Sequence, residues 1–208
     1  MSNSSLAFAF DEPSPPAVAT AAQIMASELI AGRALSRSDV TRIMSEHFGG
    51  SDAFGQWSVR DAHAALELAQ VQYLQAFDQI QLSSPIDEAE QFFCCLDDRI
   101  PTQTTRSDEQ IEWQQFATPP RLAWLAARAC GLIPDELLLE PSAGTGMLAV
   151  WATKAGTRLA LNEISPLRRD CLTAARSMTS RSLRTRCCAR IPRRVRRPTC
   201  WNWKLPEP

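Results

Sequence analysis

Pro141-Ser-Ala-Gly-Thr-Gly146 joins a short apolar run, Leu137 to Glu140, to a stretch that reads as helix, Met147 to Lys154, and its residue types suit the holding of a ligand. Gly144 and Gly146 carry no Cβ, so backbone there can press against a bound molecule. The free N–H groups of the helical turn that follows attract carboxylate or phosphate. Glu163 stands 23 residues after Glu140, at the end of the next apolar run, where an acid can accept both hydroxyls of an adenosine ribose. Two nucleoside cofactors suit this geometry, one of them a dinucleotide, because Gly144-Thr-Gly146-Met-Leu-Ala149 formally fits G-x-G-x-x-[GA]. A loop with no ligand and a merely solvated acid at the strand end are the plainer alternatives.

The residues around the glycines separate those possibilities by resemblance. Glu140-Pro-Ser-Ala-Gly-Thr-Gly146 closely resembles the first motif of DNA N6-adenine methyltransferases, a class I fold that binds S-adenosyl-L-methionine. Asn162-Glu-Ile-Ser-Pro166 is similar to their second motif, and Gln114-Gln-Phe-Ala-Thr-Pro-Pro120 to the segment over the methionine end of the cofactor. The resemblance implies Glu140, Pro141, Ser142, Ala143, Gly144, Gly146 and Glu163 as cofactor-binding residues, with Phe116 and Thr118 beside them. Thr118 also reads as a plain helix cap, and one hydroxyl can do both jobs.

The elements that must position these residues are legible from spacing. Ile24 and Leu29 mark a helix over 18–29, and Ser38 is expected to cap another that runs to His47 before Gly49-Gly50. Ser58 and Asp61 form an N-terminal pair for a helix over 59–80, with Leu66, Ala69, Tyr73, Phe77 and Ile80 on one face. Ser84-Pro85 opens a fourth, whose Ile86, Ala89, Phe92, Phe93 and Leu96 point one way. After a polar stretch at 101–109, a helix from Pro119 to Gly131 leads to strand 137–140, the glycine loop, helix 147–154 and strand 158–162, a βαβ unit. The fold class is therefore α/β. A leader at 1–16 and a helical region at 17–100 precede an incomplete Rossmann-like, S-adenosylmethionine-dependent methyltransferase domain at 101–176, and a basic tail spans 177–208.

A wider resemblance covers roughly residues 18–176. Phe48-Gly-Gly-Ser-Asp-Ala53, Asp61-Ala-His-Ala-Ala65 leading to Ala69-Gln-Val71, and Pro101-Thr-Gln-Thr-Thr-Arg-Ser107 look like the start of bacterial strawberry-notch-like proteins. In that family a helical region and an adenine-methylase-like domain precede a helicase, which implies DNA as the partner. The chain has no Asn/Asp/Ser-Pro-Pro-Tyr/Phe motif to hold a flipped base, and no G-x-x-x-x-G-K-[ST] loop for ATP. No catalytic residue is therefore assigned. Only two strands are found where a doubly wound sheet needs about five, so the domain reads as truncated.

Composition sets the outer limits. With 45% hydrophobic and 22% charged residues the chain falls with globular proteins rather than disordered ones. Its longest apolar runs fall short of a membrane span and its start lacks a secretory pattern, so a cytoplasmic protein is expected. The seven cysteines, with adjacent pairs at 94–95 and 187–188, suit neither a disulfide framework nor a zinc knuckle, and reduced thiols without metal are expected.

The net charge of −1 hides a net of −11 over 1–167 and +10 over 168–208. From Ser177 to Lys204 there are nine basic residues and no acid, with Trp201, Trp203 and three cysteines. This stretch reads as a nucleic-acid arm, in which Arg neutralises phosphates and Trp stacks on bases. A metal site is a poorer fit, since Cys187, Cys188 and Cys200 have no nearby His. The composition breaks abruptly where a third strand is due, which favours a tail translated out of frame. The rival for the whole chain is a non-enzymatic DNA-binding or scaffold module.

Overall fold

The computed structural model describes residues 16–103 and 116–177; the leader, most of the polar stretch at 101–109 and the basic tail fall outside them. The described chain is mostly helical, with one small parallel sheet. Four helices come first: α1 (Ala17–Ile30), α2 (Arg37–Phe48), α3 (Val59–Ala76) and α4 (Ile86–Asp97). There follow α5 (Pro120–Cys130), β1 (Leu137–Glu140), α6 (Met147–Lys154), β2 (Arg158–Leu161) and α7 (Pro166–Ser177).

Local chemistry explains most of the starts and stops. Ser58 opens α3 with a capping box: its hydroxyl accepts from Asp61 N at 3.3 Å, and the Asp61 carboxylate accepts from Ser58 N at 2.8 Å. The same device opens α2, but from Ser36 rather than Ser38, because Asp39 lies three residues after Ser36 and answers its backbone N–H. Gly49 ends α2 in the left-handed conformation that a side chain would resist. α3 stops at Ala76, four residues short of Ile80. Phe77 is extended there, and Ile80, beyond the helix, is nonetheless buried.

α3 is the axis of the molecule. From Ala64 to Leu74 every residue is buried, the mark of a helix surrounded on all sides. Ala21, Ala22 and Met25 of α1 cover one flank, and α6 and α7 cover another. One hydrophobic cluster runs from Val18 through Phe93, Trp124 and Trp151 to Ala175, so the helical region and the segment after it share a core. Phe93 of α4 is the joint, with its ring centroid 6.1 Å from Trp124 and 6.2 Å from Trp151. Ile86 is an exception to the expected face of α4, being exposed at the helix start while Ala89, Phe93 and Leu96 are buried.

β1 and β2 pair in parallel, with Leu137 opposite Arg158 and Glu140 opposite Leu161. α6 is the crossover between them, so the expected strand–loop–helix–strand unit is present. β1 is more exposed than its three leucines lead one to expect: Leu137 is 56% exposed, and Leu138 to Glu140 are half-buried. Among the described residues the sheet has two strands, and most of the shielding falls on β2, where Leu159 and Leu161 are buried. Among the described residues no helix is long and apolar enough to cross a membrane.

Candidate functional site

The loop after β1 is laced tightly to the end of β2. Asn162 N donates to Glu140 O and Ala143 N to Asn162 O, both at 2.9 Å, while Asn162 Nδ2 donates to Pro141 O at 3.0 Å. Ser142 N donates to the Glu140 carboxylate at 3.0 Å, and Gly146 N closes a turn onto Ala143 O at 2.9 Å. Glu163 is buried, not a solvated strand end. Its carboxylate accepts from Gly144 N at 2.7 Å and from Ser165 N at 2.8 Å, so it clamps the glycine loop to the start of α7.

The two glycines serve different neighbours. Gly144 has φ +57°, and a Cβ there would lie 3.8 Å from Arg168 Nη1, so the guanidinium sits over the loop. Gly146 has φ +103°, and a Cβ there would come within 3.2 Å of Leu172 Cδ2. The close approach that Gly146 permits is therefore of α7 to the loop, in a backbone conformation that L side chains resist.

On its outer side the loop borders a cavity of about 440 Å³, within the range of ~300–1,000 Å³ usual for small-molecule sites. Ser142, Ala143, Gly144, Thr145, Met147 and Leu148 form one wall. Phe116, Ala117, Thr118, Pro119 and Pro120 also line the cavity, as do Pro101 to Gln103. Of the residues singled out by sequence, Phe116, Thr118, Ser142, Ala143 and Gly144 thus meet at one cavity. Glu140, Pro141, Gly146 and Glu163 do not line it; they hold the loop from behind. Thr118 does not cap α5. Pro119 takes the N-cap position with no side-chain bond, because Pro120 is the first helical residue, and Thr118 is left on the cavity wall.

The inner wall comes from residues that spacing did not reveal. Glu67 and Gln70 of α3 and Arg168 of α7 line it. Arg168 Nη2 lies 3.8 Å from Glu67 Oε2, and the Thr145 hydroxyl lies 3.4 Å from the same oxygen as donor. Both charged side chains are buried, at 6% and 10% exposure. Burial pushes the Glu67 carboxyl up to about 7, against the opposing pull of the Arg168 charge and the Thr145 hydroxyl. Burial also drives the neighbouring Cys171 thiol up to about 12, which leaves it unreactive. The one sequence signal for Glu67 is an acid amid Ala64-Ala-Leu-Glu-Leu-Ala69, a run that offers it no solvated face.

Among the described residues no three His, Cys, Asp or Glu side chains group as a metal site, and Cys94, Cys95, Cys130 and Cys171 are not in disulfides. Cys187, Cys188 and Cys200 lie outside the described residues. No family model, curated protein or solved structure matches this chain.

Proposed function

We propose that the cavity beside the glycine loop binds S-adenosyl-L-methionine, and that the chain is the donor-binding part of a DNA adenine methyltransferase-like domain of the strawberry-notch-like kind. One observation carries this reading. The 116–120 segment and residues of the 142–148 loop, which resemble the methyltransferase motifs separately, both line one cavity of suitable size. In this reading the βαβ unit is the start of a Rossmann-like sheet, and Phe116, Thr118, Ser142, Ala143 and Gly144 touch the cofactor. Glu140, Pro141, Gly146 and Glu163 shape the loop that receives it. When bound, the cofactor supplies an electrophilic methyl group. The chain's own residues hold and orient it, and DNA is the partner that the resemblance brings.

The loop's hydrogen bonding favours this cofactor over a dinucleotide. A pyrophosphate needs loop amides turned outward, whereas those of Ser142, Ala143, Gly144 and Gly146 all donate within the chain. The test is calorimetric titration of the full chain with S-adenosylhomocysteine, S-adenosylmethionine and NAD. Micromolar binding of the first two, weakened about tenfold by Phe116→Ala, is expected. NAD binding alone would replace this reading with a dinucleotide enzyme. Salt-sensitive DNA binding with no affinity for any of the three would replace it with a DNA-binding scaffold.

A further inference from the structure

A second cavity, of about 200 Å³, shares Pro101, Thr102 and Gln103 with the one beside the glycine loop and is otherwise lined by α2, α3 and the segment between them. Three stretches far apart in the chain, 48–53, 61–65 and 101–107, each contribute to it, through Asp52, His63 and Thr102. Its volume lies below the ~300–1,000 Å³ of sites that take a drug-sized molecule, so it suits one small ring system. Val40, Trp57 and Leu66 are its buried, apolar lining, whereas Asp52 and Gln103 are exposed. The Trp57 indole N–H donates to Gly50 O at 3.0 Å, so this side chain contributes ring surface and no free donor. His63 is half-buried, and among the described residues neither of its ring nitrogens has a hydrogen-bond partner. Burial alone holds its pKa below the usual range, which leaves a neutral ring at pH 7 with one donor and one acceptor to offer.

We propose that this second cavity receives a single nucleobase, its ring packed with Trp57 and its polar edge read by His63, with Asp52 and Gln103 as further partners on the exposed side. A base is a flat ring, apolar on its faces, that carries donors and acceptors around its rim. An apolar, aromatic lining with a neutral donor and acceptor beside it matches that pattern and requires no charge on the ligand. Arg37 is not the reader, since it donates to Thr102 O and Oγ1 at 3.4 and 3.3 Å and so holds the segment that both cavities share. Because Pro101 to Gln103 border both cavities, the base site adjoins the donor site rather than lying on a remote face. The assignment goes beyond the S-adenosylmethionine reading and does not depend on it. A base in a DNA strand and a free nucleoside present the same ring, and the experiment separates these two sources.

The chain has two histidines, His47 and His63, which makes the test direct. Imidazole resonances of the full chain are recorded by nuclear magnetic resonance, with S-adenosylhomocysteine added first to saturation so that the neighbouring cavity is filled. Adenosine, a single-stranded oligodeoxyadenosine and ribose 5-phosphate are then titrated in turn, and His63→Gln assigns the signal. The expected result is a saturable shift of the His63 signal with adenosine and with the oligonucleotide, none with ribose 5-phosphate, and none at His47, which does not line the cavity. Saturation by the oligonucleotide at a concentration at least tenfold below that of adenosine assigns the base to a DNA strand, whose phosphates add affinity. An equal or weaker response assigns it to a free nucleoside. In calorimetry under the same conditions, His63→Leu and Gln103→Ala, both at positions open to solvent, should each weaken adenosine about fivefold. No shift with adenosine or the oligonucleotide, or an equal shift with ribose 5-phosphate, overturns the nucleobase site. So does a His63 shift completed by S-adenosylhomocysteine alone, because the cavity then belongs to the cofactor site. If S-adenosylhomocysteine does not bind, the cofactor reading fails, and the His63 response to adenosine still decides this one.

Discussion

The helical region and the βαβ unit differ in how each secures its interior. α3 is enclosed by α1, α6 and α7, and its middle turns are buried on every side. Among the described residues the sheet has two strands and an exposed Leu137, with exposed Ile133 and Ile164 near its ends. What the α/β unit lacks in strands it takes from α3, because Met147, Val150, Trp151, Cys171 and Ala175 belong to the same cluster as the helical core. The lesson is that a parallel pair of strands, unstable by itself, can be held when its crossover helix and the helix after it dock on a preformed helical surface. The cavity lies at that junction, with walls from both regions.

The largest effect should come from cutting the junction. Trp151 is 1% exposed and packs edge-on against Phe93. Trp151→Ala should therefore cost ~3–5 kcal/mol, and in thermal unfolding followed by circular dichroism both regions should melt in one transition at lower temperature. A loss confined to one part of the signal, with the remainder melting at the original temperature, would break the picture of a shared core.

A smaller effect, up to ~3 kcal/mol, belongs to Glu67. Its folded-state carboxyl titrates near 7, against an ordinary value of 4.5. Between those values the native chain holds a proton that the unfolded chain has released. Stability from this group therefore falls as pH rises from about 4.5 to about 7 and is level above. His63, which burial holds below its usual range, contributes the opposite slope. Denaturant titrations of the unaltered chain and Glu67→Gln across this range cancel His63. The unaltered chain should lose stability relative to the variant as pH rises, and a constant difference would show that Glu67 is not shielded from water.

How much of this was readable in the sequence depends on the range of the interactions. The α3 start was legible because Ser58 and Asp61 form a closed local device, and the strand–loop–helix–strand order because each piece is short and its signals adjacent. The α2 cap was misplaced by two residues, since Ser36 and Ser38 are both good caps and only the bond to Asp39 decides between them. Gly146 looked like a ligand contact, but it is Leu172, far along the chain, that requires its missing side chain. Glu67 left only the faint signal of an acid in an apolar run and Arg168 none, because neither sits in a motif and their meeting depends on α7 docking against α3. Local chemistry marked the loop, and only the docking of α7 revealed what stands behind it.

The central claim is that one cavity, walled by both regions, receives the cofactor. Backbone amide shifts of the isotopically labelled full chain, recorded by nuclear magnetic resonance as S-adenosylhomocysteine is added, test it most directly. The account predicts that Gly144 and Thr145 of the loop move together with Phe116 and Thr118, and with Glu67 and Gln70 of α3. Shifts confined to residues 140–163, with α3 silent, would contradict it.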